Sequence, residues 1–316
     1  MVERILVRRS LFSQVVPGCL LLAWFAGSGC SIHRYALNKA SDAVAQSGAT
    51  YASDDDPELV KAAAPFGLKL TESLLAENPQ HLGLLTSAAS GFTQYAYAFV
   101  QEEADEVEPQ DFAAAEAMRV RARRLYLRAQ GYGLRGLEVK HPGFGKALLA
   151  NPKATVRTAT KPDVPLLYWT AAAWASAISL SKDKPVLVGQ IPAMEALMDR
   201  ALELDEGYAH GSIHTFMISY EMSRAGAAGD PAARARKHFE RAMALNKGTD
   251  ASPLVALAEA VTIQKQDVKE FESLLNRALA VNPDANPDIR LLNTVMQRRA
   301  RWLLSRQSEL FLVESK

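Results

Sequence analysis

Two histidines four residues apart raise the possibility of a metal site. On a helix, His210 and His214 would point both imidazoles toward one ion, which is a spacing that zinc sites use. Gly211 follows His210, where the helical zinc-protease motif requires a glutamate. The pair is therefore only a weak candidate, and histidines that bond to protein groups or face solvent are the alternative. We expect no metal.

Residues 131–136 read Gly-Tyr-Gly-Leu-Arg-Gly, the glycine spacing of a dinucleotide-binding loop. That loop joins a strand to a helix, whereas these glycines follow a long helix-forming segment with no strand pattern around it. We expect no cofactor here. The glycines are better explained by close packing of a neighbouring helix, or by a bend in their own helix.

The other motifs that could carry chemistry do not indicate an enzyme. The run Asp54 to Asp56 could suggest calcium, but it precedes Pro57 and is typical of an acidic helix N-cap. The sequence contains no G-x-S-x-G, no phosphate-binding loop, and no cysteine after Cys30 to act as a nucleophile; its other cysteine, Cys19, lies in the apolar N-terminal stretch.

Aromatic residues form two groups at helical spacing. Phe92, Tyr95 and Phe99 share one face of a predicted helix while Tyr97 lies off it, and the second group lies in an Ala-rich helix. Such rows usually belong to a core, but small residues beside large rings also line clefts for apolar ligands or partner side chains. Six residues are candidates for a cleft of this kind: Phe92, Tyr95, Phe99, Tyr168, Trp169 and Trp174.

The elements that must position these residues are predicted to be helices throughout. Ala, Leu, Glu and Arg dominate after residue 33, apolar residues recur three and four apart, and no alternating β-branched run occurs. Five variants of one phrase, such as Leu-Ala-Glu-Asn-Pro, precede the predicted joints. Aligned on Asn78, Lys140, Asp205, Asn246 and Asn282, they lie 62, 65, 41 and 36 residues apart.

The last two intervals approach the 34-residue tetratricopeptide period. Small residues Ala235, Ala242 and Ala278 fall where two packed helices of that repeat need close approach. The sequence thus predicts an all-α fold, a tetratricopeptide-like helical repeat bundle of the α-solenoid type. Unrelated antiparallel helical hairpins are the alternative.

The N-terminus predicts export. Arginines in residues 1–9 precede an apolar stretch that ends in Gly27, Ser28 and Gly29 before Cys30, an arrangement that resembles a lipoprotein signal. We predict a signal peptide over residues 1–29, lipid attachment at Cys30 and a repeat domain over residues 30–316. A plain secretory signal or an uncleaved anchor is the alternative, since Gly27 stands where an aliphatic residue is usual.

The charge is nearly balanced, with 36 basic and 35 acidic residues and a formal net charge of +1. We therefore expect no nucleic-acid partner. An acidic segment, residues 102–108, is followed by five arginines in residues 119–128. These clusters are expected to offset one another or to form a solvated face, and a docking surface for a partner is the alternative.

Four stretches carry a resemblance to a known family. They are Ser53 to Val60 (Ser-Asp-Asp-Asp-Pro-Glu-Leu-Val), Ser90 to Gln101, which begins Ser-Gly-Phe-Thr-Gln-Tyr-Ala, His238 to Ala242 and Gln297 to Leu304. Together they resemble the T component of tripartite ATP-independent periplasmic (TRAP) transporters. The resemblance implies a helical lipoprotein that forms a homotrimer around a central opening and docks the periplasmic substrate-binding subunit. Passage of an apolar ligand is a further implication, and no catalytic residue is implied.

The function predicted from all of this is a periplasmic, lipid-anchored scaffold of a TRAP-type uptake system, and not an enzyme. Ser31 after Cys30 favours the outer membrane as the site of anchoring. The alternative is a tetratricopeptide lipoprotein that acts in outer-membrane or envelope assembly, with peptides bound in its groove.

Overall fold

A computed structural model describes residues 33–312, which form helices and connecting turns without a β-strand. The all-α prediction is confirmed. The helices are α1 (33–46), α2 (Gly48–Ala52), α3 (Pro57–Glu77), α4 (Leu82–Ala96), α5 (Glu102–Val107), α6 (Phe112–Lys140), α7 (Phe144–Ala150), α8 (Pro152–Thr155), α9 (Val164–Ser179), α10 (Pro185–Val188), α11 (Ile191–Leu204), α12 (Ser212–Glu221), α13 (Pro231–Asn246), α14 (Ser252–Leu257), α15 (Ile263–Lys265), α16 (Val268–Ala280), α17 (Arg290–Ser305) and α18 (Gln307–Leu310).

The helix boundaries follow from local capping. Asp56 accepts hydrogen bonds from the backbone amides of Glu58 and Leu59 at 3.0 Å, so the acidic run is a helix N-cap as predicted. Asp111, Asp230 and Asp267 cap α6, α13 and α16 in the same way. All five repeated phrases lie at the C-terminal end of a helix, at α3, α6, α11, α13 and α16. The helix ends predicted from the repeated phrases are therefore confirmed.

The helix α6 is 29 residues long and packs between α4 and α9. Its contacts with the α4–α5 segment run in antiparallel order: Arg119 meets Asp105, Tyr126 bonds to Gln101, Tyr132 stacks on Phe92 and Arg135 bonds to Pro79. Further along the chain, α12 packs on α13 and α16 on α17. The small residues Ala235, Ala242 and Ala278 are fully buried, as the repeat pattern predicts.

The C-terminal helix α17 returns to the N-terminal helices. Arg290 donates to the carbonyl of Ser53 at 3.2 Å, and Arg298 pairs with Glu106 at 2.7 Å and with Glu58 at 3.3 Å. These contacts join α17 to α3, to α5 and to the turn after α2, so the two ends of the described chain enclose the space between them.

None of the described helices is both long enough and apolar enough to cross a membrane. The predicted signal peptide and Cys30 lie outside the described residues.

Candidate functional site

A cavity of about 420 Å³ lies between the N-terminal helices and α17. Its walls come from α2, α3 and α4 on one side and from α17 with the turn before it on the other, while Trp169 and residues 209–212 close an end. Three of the six candidate aromatic residues line it, namely Tyr95, Phe99 and Trp169. Tyr51 and Tyr97 also line it, and sequence reasoning did not select them.

Tyr97, which lines the cavity, lies where α4 ends as a regular α-helix. Residues Tyr97–Gln101 form a π-helical turn before α5 begins at Glu102. A π-turn holds an additional residue, so the side chains after it shift around the helix axis relative to a 3.6-residue period. Tyr97 is the first residue of this turn, so the shift applies to the residues that follow it, and its predicted position off the face of Phe92, Tyr95 and Phe99 stays a prediction.

The other three candidate rings are packed among protein groups. Phe92 stacks on Tyr132 with 6.0 Å between ring centroids. Trp174 is 1% exposed, and its indole nitrogen donates to Gln190 Oε1 at 3.0 Å. Tyr168 contacts Trp169 edge-on at 4.9 Å. These three residues support the walls without lining the cavity.

The lining is mostly apolar, with polar groups at several places. Thr71, Ser87, Ser90 and Gln94 lie on α3 and α4, His210 and Ser212 lie at the end of the cavity, and Asp288 lies in the turn before α17. The apolar lining includes Val60 and Leu68 of α3 and Leu291 and Val295 of α17. A ligand with an apolar body and a hydrogen-bonding group matches this lining, because apolar pockets use a few polar groups to fix orientation.

The two histidines proposed as a metal pair do not share a helix. Ala209 and His210 have left-handed backbone conformations, with φ of 45° and 59°, and α12 begins only at Ser212. His210 lines the cavity, whereas His214 lies 2.8 Å from His238 between ring Nδ1 atoms and 3.3 Å from Glu206. Gly211, also at positive φ, breaks the helical register that the i, i+4 prediction needed.

Burial lowers the pKa of the His214 imidazole, and burial together with His214 lowers the pKa of His238. The two rings therefore bond best as a neutral pair. Among the described residues no group of three His, Cys, Asp or Glu side chains is arranged to hold a metal ion.

The glycines of residues 131–136 lie inside α6, and two of the three, Gly133 and Gly136, face α9. A Cβ on Gly133 would come within 2.0 Å of Thr170 Oγ1, and one on Gly136 within 2.6 Å of Leu166 Cδ2. Close helix packing is therefore confirmed at Gly133 and Gly136, and no strand precedes them among residues 33–130.

A buried charge cluster lies behind the π-turn. Arg299 of α17 is 9% exposed and pairs with Glu102 at 3.2 Å, Asp105 at 3.1 Å and Glu259 at 2.6 Å. Burial raises the pKa of Glu102 to about 7 even though Arg299 opposes the shift. Of the arginines in residues 119–128, Arg119 alone pairs with the acidic segment among the described residues, through Asp105 and Glu108. The acidic segment is thus offset mainly by α17.

A sequence model of the TRAP transporter T-component family matches residues 53–311. The chain belongs to this family. An uncharacterized protein of Treponema pallidum (strain Nichols) is 29% identical over 312 residues, which cover 93% of this chain and 95% of the relative. The family is not one of enzymes, and membership supports an accessory role in a TRAP transporter, in the periplasm or at a membrane.

The stretches that resemble the T component have definite places in this structure. In the Ser-Gly-Phe-Thr-Gln-Tyr stretch of α4, Ser90, Gly91, Gln94 and Tyr95 line the cavity. In α17, Gln297 donates to three carbonyls at the end of α16, the shortest bond being 2.7 Å to Val281. The most specific motif of this T component therefore forms the cavity wall, and the C-terminal motif holds the opposite wall in place.

Proposed function

We propose that this T component is a periplasmic lipoprotein, anchored through Cys30 in the outer membrane, that docks the substrate-binding subunit of a TRAP transporter and holds its ligand in the cavity between α3, α4 and α17. The ligand class is amphipathic: an apolar body with one hydrogen-bonding group. The assembly is a homotrimer. Family membership supports the transport role, and the cavity is the observation that carries the ligand-holding role.

Three features of the cavity support ligand binding. Its volume of about 420 Å³ falls within the range of small-molecule pockets. Its rings, Tyr95, Phe99 and Trp169, offer flat apolar surface with few rotatable bonds. Its polar groups lie at separate places on the wall, so that a ligand would be held in one orientation.

Two alanines of α3 provide a matched test. Ala64 lines the cavity, whereas Ala62 is exposed and lies outside it. The proposal predicts that Ala64→Phe weakens binding of an apolar fluorescent probe, 1-N-phenylnaphthylamine, about tenfold or more, while Ala62→Phe changes it less than about twofold. Equal binding by both variants and the wild type would place the probe elsewhere and refute the ligand role.

Docking and anchoring require separate measurements. Co-purification of the cognate substrate-binding subunit from detergent-solubilised membranes is the expected result, and its failure at high protein concentration would refute docking. Cys30→Ser should release the protein from the outer-membrane fraction. Light scattering of the purified protein should give the mass of three chains. Depletion that leaves solute uptake intact but lowers outer-membrane protein levels would favour the envelope-assembly alternative.

A further inference from the structure

Four arginines of α6 form a row on the protein surface. Arg121, Arg124, Arg128 and Arg135 are all exposed. At 100° per residue they fall within an arc of about 60°, and they extend over about 21 Å of helix. We refer to Arg121, Arg124, Arg128 and Arg135 as the arginine row.

Aromatic rings hold three of these guanidinium groups in place. Arg121 lies 5.7 Å from the centroid of Tyr95, Arg128 lies 5.3 Å from that of Phe92, and Arg135 lies 5.4 Å from that of Tyr132. Arg135 also donates to the carbonyl of Pro79 at 3.1 Å. Ring stacking orients a guanidinium without cancelling its charge, so the remaining donors stay available to a partner.

Carboxylates neutralise little of the positive charge of the arginine row. Arg121, Arg124 and Arg135 form no ion pair with any described residue, and Arg128 lies 3.5 Å from Glu72. Glu72 also accepts from Lys69 at 2.6 Å and from Tyr132 at 2.7 Å, so its charge is shared among three donors. In contrast, Arg119, Arg298 and Arg299 each pair with two or more carboxylates. A positive surface thus persists in a chain that is nearly neutral overall.

We infer that the arginine row is the docking surface for an acidic face of the substrate-binding subunit, an inference that rests on the proposed function. Planar guanidinium groups in fixed positions match pairs of carboxylate oxygens. A membrane is the less suitable partner. Helices that lie on membranes combine basic residues with bulky apolar ones, and α6 exposes large apolar side chains only at its ends, Phe112 and Val139.

The arginine row lies close to the cavity, so that docking could affect the cavity wall. Tyr95 is shared, because its ring lines the cavity and also lies under Arg121, whose Nη2 is 3.4 Å from the Tyr95 hydroxyl. One layer, α4, therefore separates the docked partner from the ligand site. A carboxylate that draws Arg121 outward would loosen the ring that forms part of the cavity wall.

Arg124 is the best residue to change, because it makes no hydrogen bond or ion pair with a described residue. We expect Arg124→Glu to weaken binding of the cognate substrate-binding subunit by at least about fivefold, and Arg124→Glu/Arg128→Gln by at least about tenfold. Raising NaCl to about 0.5 M should reduce the difference. The measurement is biolayer interferometry with full-length protein purified from membranes.

Arg157→Glu/Arg277→Glu is the matched control, since both residues are exposed and form no ion pair with a described residue. It changes the net charge by more than Arg124→Glu does, and it should leave affinity within about twofold of the wild type. If the subunit binds the wild type and the Arg124 variants equally, the inference is overturned and the proposed function survives. If the subunit binds none of them, the proposed function fails and the inference fails with it.

A membrane partner is a separate outcome. In nanodiscs without the substrate-binding subunit, an Arg124→Cys variant should react with a hydrophilic thiol reagent equally fast in phosphatidylcholine and in phosphatidylcholine with phosphatidylglycerol. Protection by the anionic lipid alone would assign the row to the membrane and overturn the inference.

Discussion

The glycines of α6 allow a comparison of two substitutions that differ only in what surrounds them. Gly131 and Gly133 lie two residues apart in the middle of the same helix. A Cβ at position 131 would meet nothing within 4 Å, whereas one at position 133 would lie 2.0 Å from Thr170 Oγ1, 3.0 Å from its Cβ and 3.3 Å from its Cα. Both substitutions to alanine gain the same helix propensity.

The expected effects have opposite signs. Gly131→Ala should stabilise the protein by about 0.5–1 kcal/mol, because alanine restricts the unfolded chain and favours the helix. At Gly133 the same gain is opposed by overpacking of about 1–3 kcal/mol. Rotation of the Thr170 side chain offers little relief, since its hydroxyl donates to the carbonyl of Leu166 and the residue is fully buried. The free energy of unfolding of Gly133→Ala should therefore lie about 1–3 kcal/mol below that of Gly131→Ala.

Urea unfolding followed by circular dichroism measures both values. Because the helix propensity is common to both variants, their difference isolates the cost of contact between α6 and α9. Thr170→Gly removes the hydroxyl and the Cβ. In a double-mutant cycle, Gly133→Ala should therefore cost much less in the Thr170→Gly background than in the wild type. If Gly133→Ala is as stable as Gly131→Ala, the helices are not in close contact at this point and the packing explanation of the glycine motif is wrong.

Two carboxyl groups predict pH effects of opposite direction. The raised pKa of Glu102, about 7, means that the unfolded chain ionises this group first as pH rises. The free energy of unfolding of the wild type should thus fall relative to that of Glu102→Gln as pH rises from about 4.5 to 7, as measured by urea unfolding. If the two free energies change with pH in the same way, the prediction is contradicted. Asp163 is buried, but bonds from Lys140, Thr160 and His141 outweigh burial and lower its pKa to about 2. Its contribution is present above about pH 3.8 and is lost as pH falls toward 2, so Asp163→Asn should cost about 2–4 kcal/mol at neutral pH. Loss of the same size in the exposed control Asp183→Asn would show a nonspecific charge effect.

Local sequence signals predicted the helices well because helix ends are decided by nearby residues. Asp56 bonds to amides two and three residues later, and the Asn, Asp and Pro residues of the repeated phrases interrupt helices without help from distant parts of the chain. Close packing was also predicted correctly for Gly133 and Gly136, because the absence of a preceding strand pattern is visible in the sequence.

The cavity was only partly predictable. The aromatic spacing on α4 selected Tyr95 and Phe99, but whether a ring faces a core or an open space depends on which helix lies opposite. For Phe92 that neighbour is Tyr132, 40 residues away, and for Tyr95 it is α17, nearly 200 residues away. The π-turn at Tyr97 and the left-handed backbone at His210 have no simple sequence signal, and the left-handed backbone is the reason why His210 and His214 do not share a helix.

The arginine-rich motif of α17 contributes ion pairs to the opposite wall of the cavity. A closer apolar contact between α17 and the α3–α5 region would stabilise the closed array, but it would also close the space that Tyr95, Tyr97 and Val295 now line. Arg298 and Arg299 reach across with long side chains, and they pair with carboxylates of α5 behind the π-turn. Because buried ion pairs return little net stability beyond their desolvation cost, such a contact positions a helix more than it stabilises it. Glu102, whose pKa lies near 7, is the weakest of these partners. The ion pairs act beside apolar contacts, because Tyr97 and Ala98 pack against the cluster that contains Val295 and Met296 of α17.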